Sequence, residues 1–526
     1  MRLLLRLPNQ VSEPVFLDHL AGSEVLTNEL TLTFADESRR FKARLALSAA
    51  VDGIRFSITA EGPSPIWMVE WSLPDLRLQE VIIPALGGQV LDSNMPHGEQ
   101  LSFKYPFWWN AQFVLGKSAD FDGGVGLRTL DPKPTFKMLR VRKGSGDRFD
   151  LALGIEADAP LRTGRIEGEW FLDVYAGSWE NPVDHHRNWM ESTFGLVPYA
   201  AHPHFPRWAH DINLVLEFWG MRKDAGRPAH TFEEIEDRIA SFSKRHPPEN
   251  TMLYLPGYAE GGIDSRIPSY DPSEGLGGAA AFKSLVDRAH DLGYRVMIHT
   301  NVLGMAYSHP LYEKFERYQV VDVFGRRQGW AMDIDGDWLT EPYFAYMNPG
   351  ERAWTELMTR TLGALIESFG LDAVFLDQTL LAFNVSRGPN FVQGMRRHVE
   401  ALQAAYPNVL FAGEGLNDIV QPALPVAQIH GIDSVAGVHG IDDRHVWRRA
   451  HPVSTRLFGK STLFVGHLLT KHPSHPIFED QEAAYRALGV IPALVCYDAT
   501  QGLDLPEVEA VLERARALKR LETTAT

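Results

Sequence analysis

Asp377 ends a short apolar run, Ala373–Leu376, in the segment Phe369-Gly-Leu-Asp-Ala-Val-Phe-Leu-Asp377-Gln378-Thr379. Glu414 ends a second, in Asn408-Val-Leu-Phe-Ala-Gly-Glu414-Gly415. Near-continuous apolar runs of this length are the signature of strands buried on both faces of a parallel sheet, and function collects at their carboxyl ends. Two acids on consecutive strand ends suit chemistry on a sugar, one attacking the anomeric carbon while the other moves the proton. Retaining enzymes hold such a pair about 5 Å apart and inverting ones roughly 6.5–9.5 Å apart, and neighbouring strands favour the shorter gap. Asp377, short and rigidly held, is expected to be the nucleophile. Glu414, between Gly413 and Gly415, is expected to be the acid and later the base, with burial beside another carboxylate raising its pKa. The plainer alternative is that Asp377 caps its loop and Glu414 pairs with an arginine.

Positioning these acids requires a barrel. From residue 211 the chain alternates strand-like and helix-like segments, with strands expected at Ile212–Phe218, Thr251–Leu255, Arg295–Thr300, Ala373–Asp377, Val409–Gly413, Gln428–Val435, Thr462–Gly466 and Leu488–Val495. Helical periodicity covers Thr231–Arg245, Ala279–Leu292, Glu351–Ser368 and Phe391–Tyr406, and an amphipathic helix Leu505–Leu521 closes the chain. This grammar predicts a (β/α)8 barrel whose strand ends form one mouth. Glu217, Trp219, Tyr258, Glu260, His299, Asn301, Gln378, Asn417, Asp433, His439, Asp442, Asp443 and His467 follow the strands. Of these, His299, Asn301, Gln378, Asn417 and His439 are candidates for holding sugar hydroxyls. Trp219 and Tyr258 are candidates for a stacking wall. A core histidine at 299 and aromatic packing at 219 and 258 are the competing readings. Asp333, Asp335 and Asp337 alternate without the glycine and glutamate of an EF-hand, and read as a substrate-facing hairpin after the third strand. His185-His186 and His472/His475 match no zinc spacing, and neither a metal nor a cofactor is expected.

Before this barrel the periodicity is 2. Leu30–Phe34, Phe41–Leu47, Ile54–Ala60 and Phe136–Val141 alternate apolar and polar residues between turns such as Asp52-Gly53, Gly87-Gly88 and Asp122-Gly-Gly. Such runs predict an antiparallel β-sandwich over residues 1–175. A linking helix and Pro-bearing linker follow over 176–207, then the barrel over 208–526. The expected class is therefore α/β plus all-β.

Composition narrows the partners. A net charge of −16 without a basic stripe argues against nucleic acid and mildly against an anionic polysaccharide. A single cysteine, Cys496, precludes an intramolecular disulfide and suits a reducing compartment. MRLLLRLPNQ lacks the apolar stretch of a signal peptide, and no segment approaches the ~20 apolar residues of a membrane helix, so a cytoplasmic protein is expected. Thirteen tryptophans are generous enough to supply stacking platforms beyond the core.

The strand-four segment Leu371-Asp-Ala-Val-Phe-Leu-Asp377-Gln378 and the strand-five segment Ala412-Gly-Glu414-Gly415, behind a β-sandwich and a Trp-bearing helix, resemble α-glycoside hydrolases of the α-amylase and endo-α-N-acetylgalactosaminidase types. The resemblance implies a retaining enzyme acting on α-linked sugars, with Asp377 as nucleophile and Glu414 as acid/base, and an oligo- or polysaccharide or glycoside as substrate. The chain differs from the α-amylase type in carrying Phe375 where an arginine is usual and His467 without a following Asp, and it has no carboxy-terminal β domain. Two other functions compete: a non-catalytic carbohydrate-binding barrel, which would tolerate either acid as its amide, and a Mg²⁺-dependent lyase or racemase, which needs three strand-end acids and a base.

Overall fold

The alternating runs of the first third pair as an antiparallel sheet of fourteen strands in the computed structural model, which describes residues 2–50, 53–222, 227–332, 339–430 and 447–524. Alternation sets burial: Ala43 and Leu45 of Lys42–Ala50, and Phe56, Ile58 and Ala60 of the neighbouring Gly53–Glu61, point into the core. The long strand Met68–Ile83 belongs to two layers. Its start pairs with Arg2–Leu7 and its end with Phe113–Ser118. Trp71 from one layer meets Phe56 (ring centroids 5.0 Å apart, stacked) and Trp170 (5.7 Å, edge-on) from the other. Those aromatic contacts are the centre of a sandwich core.

The helix Glu180–Phe194 ends at Gly195, in the left-handed conformation (φ 69°), and leads to eight parallel strands. In order round the ring these are Leu214–Phe218, Thr251–Leu255, Arg295–Asn301, Ala373–Asp377, Leu410–Glu414, Val426–Gln428, Leu463–Val465 and Ala493–Cys496. The eighth pairs with the first, and the seventh meets the chain just before the eighth through one bridge, Val465–Ile491. Helices pack outside. Phe232–Phe242 begins with a capping box between Thr231 and Glu234 and buries Phe232, Ile235, Ile239 and Phe242, the i, i+3, i+4 spacing of one face. Arg352–Phe369 stops at Gly370 (φ 74°).

Register then decides which residues reach the mouth. Val215, Met252, Tyr254, Met297, Phe375, Ala412 and Val465 fill the barrel interior, whereas Leu216, Leu253, Ile298, Val374 and Phe411 face the helices. Counting by twos along the inward positions gives Glu217, His299 and Asn301, Asp377, Glu414, Gln428 and His467. The strand-end polar groups are the inward side chains one layer above the apolar floor.

Two expected strands move. The sixth is only three residues, Val426–Gln428, because it starts directly after Pro425 and ends two residues before the described chain breaks; 431–435 lie outside the described residues. The eighth starts at Ala493, not Leu488, since Leu488 is the last residue of the helix Phe478–Leu488, which Gly489 (φ 70°) terminates. The insertion after the third strand holds a small sheet of Gly304–Ala306, Gly329–Met332 and Glu341–Tyr346. Asp333, Asp335 and Asp337, between the last two strands, lie outside the described residues, as do His439, Asp433, Asp442 and Asp443.

Candidate active site

Asp377 and Glu414 meet at the mouth, each 7% exposed. Glu414 Oε2 accepts a hydrogen bond from the Gln378 backbone N–H (2.9 Å). Its Oε1 lies 3.0 Å from His430 Nε2 and 3.3 Å from His467 Nε2. The partners of Glu414 are thus two imidazoles, not the arginine of the alternative reading. Asp377 Oδ2 accepts from Asn301 Nδ2 (3.3 Å), which also reaches Gln378 Oε1 (3.1 Å) and Asp264 Oδ2 (3.4 Å). Asn301 is itself fixed, because its Oδ1 accepts the backbone N–H groups of Leu303 and Gly304. Behind it, His299 Nδ1 bonds the Tyr254 hydroxyl (2.8 Å), and its Nε2 lies 3.5 Å from Asp264 Oδ1. Those last two atoms are buried without a hydrogen-bond partner. Asp264 (φ 57°) and Gln378 (φ 67°) are both non-glycine residues in the left-handed region, a strain that clusters where side chains must be aimed.

The two acids are driven apart electrically. Burial, the Glu414 carboxylate beside it and Asp264 push the Asp377 carboxyl well above the usual range. Burial acts in the same sense on Glu414, but His430 and His467 outweigh it and hold that carboxyl well below the ordinary carboxylate value. The expectation that Glu414 would be the raised member is therefore overturned: apolar surroundings were foreseen, the facing histidines were not. Glu414 is among the groups that raise Asp377, so of the two acids Asp377 is the one favoured to hold a proton. A third carboxyl, Glu217, is likewise raised by burial; Trp219 Nε1 donates to its Oε1 at 2.5 Å.

Six of the residues singled out from sequence come together here: Asp377, Glu414, His299, Asn301, Gln378 and His467. Trp219 is buried just past the first strand, packed against Tyr497 (5.3 Å) and bound to Glu217. Tyr258 stacks on Phe282 of the helix Gly278–Leu292 (5.1 Å, 21°), because it faces the helical layer, so it forms no stacking wall. Asn417 is fully buried, and its Oδ1 accepts the N–H groups of Ile419 and Val420. It shapes its own turn and does not face a ligand. His439 lies outside the described residues. Asp264, Tyr254, His430 and Tyr346, whose hydroxyl meets Gln378, escaped sequence reasoning. Gly261-Gly262 before Asp264 was the available signal for a sharp loop.

By spacing, two groups could cradle a cation: Glu414, His430 and His467, and Asp264, His299 and Asp377, with ligand atoms within 4.8 Å of one another. A metal-bound imidazole normally donates its other N–H to an acceptor. His467 Nδ1 instead faces the Leu469 N–H (3.4 Å), and His430 Nδ1 has no partner among the described residues. In the first group both Nε2 atoms therefore serve better as proton-bearing donors to Glu414 than as ligands.

The family described as "Domain of unknown function (DUF6259)" matches residues 165–417. No curated protein matches the chain. Among solved structures, ligand-free α-N-acetylgalactosaminidase NagBb from Bifidobacterium bifidum is similar over 99% of this chain and 88% of its own, with 12% identity and a TM-score of 0.74. Its GalNAc complex gives 13% identity, 99% and 87% coverage and a TM-score of 0.72. The GH36 α-galactosidase AgaA from Geobacillus stearothermophilus is more distant, at 10% identity, 96% and 71% coverage and a TM-score of 0.52. At such identities the likeness establishes a shared architecture, the sheet-rich amino-terminal region joined to a barrel.

Proposed function

We propose that the chain is a retaining glycoside hydrolase for α-linked sugars, with Asp377 as nucleophile and Glu414 as acid/base. The observation that carries this reading is the pair of buried carboxyls on adjacent strand ends, one driven up and the other down. Neighbouring strand ends favour the shorter separation of a retaining pair. As the sugar enters, a proton passes from Asp377 to Glu414, which makes the nucleophile and the acid in one transfer. The Asp377 carboxylate then bonds to the anomeric carbon as the glycosidic C–O bond breaks, and the Glu414 proton goes to the leaving oxygen. In the second step Glu414 takes a proton from water, whose oxygen displaces Asp377 from the same carbon. His299 Nε2 and Asp264 Oδ1, buried and without hydrogen-bond partners, are suited to the sugar hydroxyls, together with Asn301, Gln378 and Tyr346. The substrates named for the similar structures make α-galactosides and α-N-acetylgalactosaminides the first to try.

A second reading exchanges the roles, with Asp377 as acid and Glu414 as nucleophile; the raised Asp377 carboxyl favours it. One experiment separates them. Wild type, Asp377→Asn and Glu414→Gln are assayed on aryl α- and β-glycosides with and without azide, and the wild type is trapped with a fluorinated glycosyl fluoride and sequenced by mass spectrometry. A label on Asp377, with an azide adduct formed by Glu414→Gln, supports the first assignment, and a label on Glu414 the second. Equal turnover by all three proteins rejects the pair. Binding of glycosides without turnover by any of them leaves a carbohydrate-binding barrel.

A further inference from the structure

One turn of the amino-terminal sheet, residues 105–112, reaches the barrel mouth beside Glu414. Tyr105 donates its hydroxyl to Asp418 Oδ1 (2.7 Å), Gln112 Nε2 reaches Asp418 Oδ2 (3.3 Å), and the Asn110 carbonyl accepts the Asp418 N–H (3.1 Å). Asp418 follows Glu414 closely on the same loop, so the sheet grips the chain just beyond the fifth strand. Between these anchors Trp108, half-buried, stacks on Phe107 (4.3 Å, 26°) and on His430 (5.6 Å, 15°).

That last contact is unusual in what it replaces. An imidazole that must present one nitrogen in a fixed direction is ordinarily aimed by a hydrogen bond at the other. Among the described residues His430 Nδ1 is buried with no such partner, yet Nε2 is held 3.0 Å from Glu414. The packing available to orient the ring is the Trp108 face and an edge-on contact with His467 (4.6 Å, 79°). We propose that Trp108 is a positioning residue contributed by the amino-terminal sheet: by stacking, it aims His430 Nε2 at Glu414 and so completes the barrel site from outside the barrel. The inference rests on the reading of Glu414 as the proton-transferring acid. The groups facing Glu414 are His430 after the sixth strand, His467 after the seventh, Asp377 on the fourth, Tyr254 on the second and Tyr346 from the insertion. Of these contacts, the His430 contact is the one that depends on Trp108.

The test reads the imidazole directly and so needs no turnover. In full-length protein with ¹⁵N-labelled histidine, the His430 signals, assigned by their loss in His430→Gln, are titrated in wild type, Trp108→Ala, Trp108→Leu and Trp108→Phe. Both Ala and Leu should change the His430 tautomer ratio and move its titration midpoint by at least ~0.5 pH unit, with Phe restoring wild-type behaviour. Leu retains apolar bulk without an aromatic face, so it keeps the test open should the Ala protein fail to fold. Wild-type titration in Trp108→Leu overturns the proposal, as does failure of Phe to rescue a shift. Where turnover is found, the pH profile of kcat/KM should shift in Ala and Leu and not in Phe. Absence of turnover in every protein bears on the glycosidase reading and leaves the histidine result standing.

Discussion

Two carboxylate–imidazole groups stand side by side at the barrel mouth, one with two acids and a single imidazole, the other with one acid and two imidazoles. In one, Asp264, His299 and Asp377, the imidazole spends its Nδ1 on Tyr254 and stands 3.5 Å from its nearest carboxylate oxygen, and Asp377 is left in the company of acids. In the other, two imidazoles converge on one oxygen of Glu414. The carboxyl is driven up in the first and down in the second. What each carboxyl faces sets its protonation state: other acids at Asp377, two imidazoles at Glu414.

The comparison can be broken most severely at its centre. If Asp377 is the proposed nucleophile, Asp377→Asn should lower kcat by at least ~10⁴-fold on aryl α-glycosides. Glu414→Gln should cost roughly 10²–10⁴-fold, and less when the aryl leaving group needs no proton, measured as a leaving-group series. Smaller changes sharpen the contrast by moving the pH profile in opposite senses. His467→Ala removes one of the groups that hold Glu414 down, so the pair keeps its proton to higher pH and both limbs of kcat/KM should rise by on the order of one pH unit. Asp264→Asn removes a charge that raises Asp377. The acid limb should fall, and KM should increase about tenfold through the lost hydroxyl contact.

The smallest effect is on stability. Burial raises the Asp418 carboxyl from 3.8 to about 7 in the folded protein. The folded state therefore binds more protons than the unfolded one between those values, and this contribution to stability is lost as pH rises through about 7. Asp418→Asn should flatten the dependence of Tm on pH across that window, read by thermal melts at several pH values.

The barrel and its two acids were legible because burial on both faces of a parallel strand leaves a plain mark, an apolar run stopped by a carboxylate. His299 and Asn301 followed from the same period-2 register, and Gln378 from its place directly after Asp377. What escaped was whatever depends on loops and on contacts distant in sequence. His430 was hidden because Gln428–Val435 reads as a strand, so the residue was assigned to a wall when it stands at the mouth. Tyr258 and Asn417 have the right chemistry just past their strands, but the chain has already turned, sending one under a helix and the other into its own turn. Trp108 lies in the other sheet altogether, and no local pattern links it to Glu414.

The barrel is not equally closed all round. Its seventh strand has three residues, Leu463–Val465, and joins the far side through the single Val465–Ile491 bridge. The next inward residue is His467, one of the two rings that keep Glu414 charged. Local opening begins where few backbone bonds must break together, so the amides of Gly466 and Ile491 should exchange with solvent before those of the fourth strand. The seam that closes the ring thus lies directly beneath one of the two imidazoles that face Glu414.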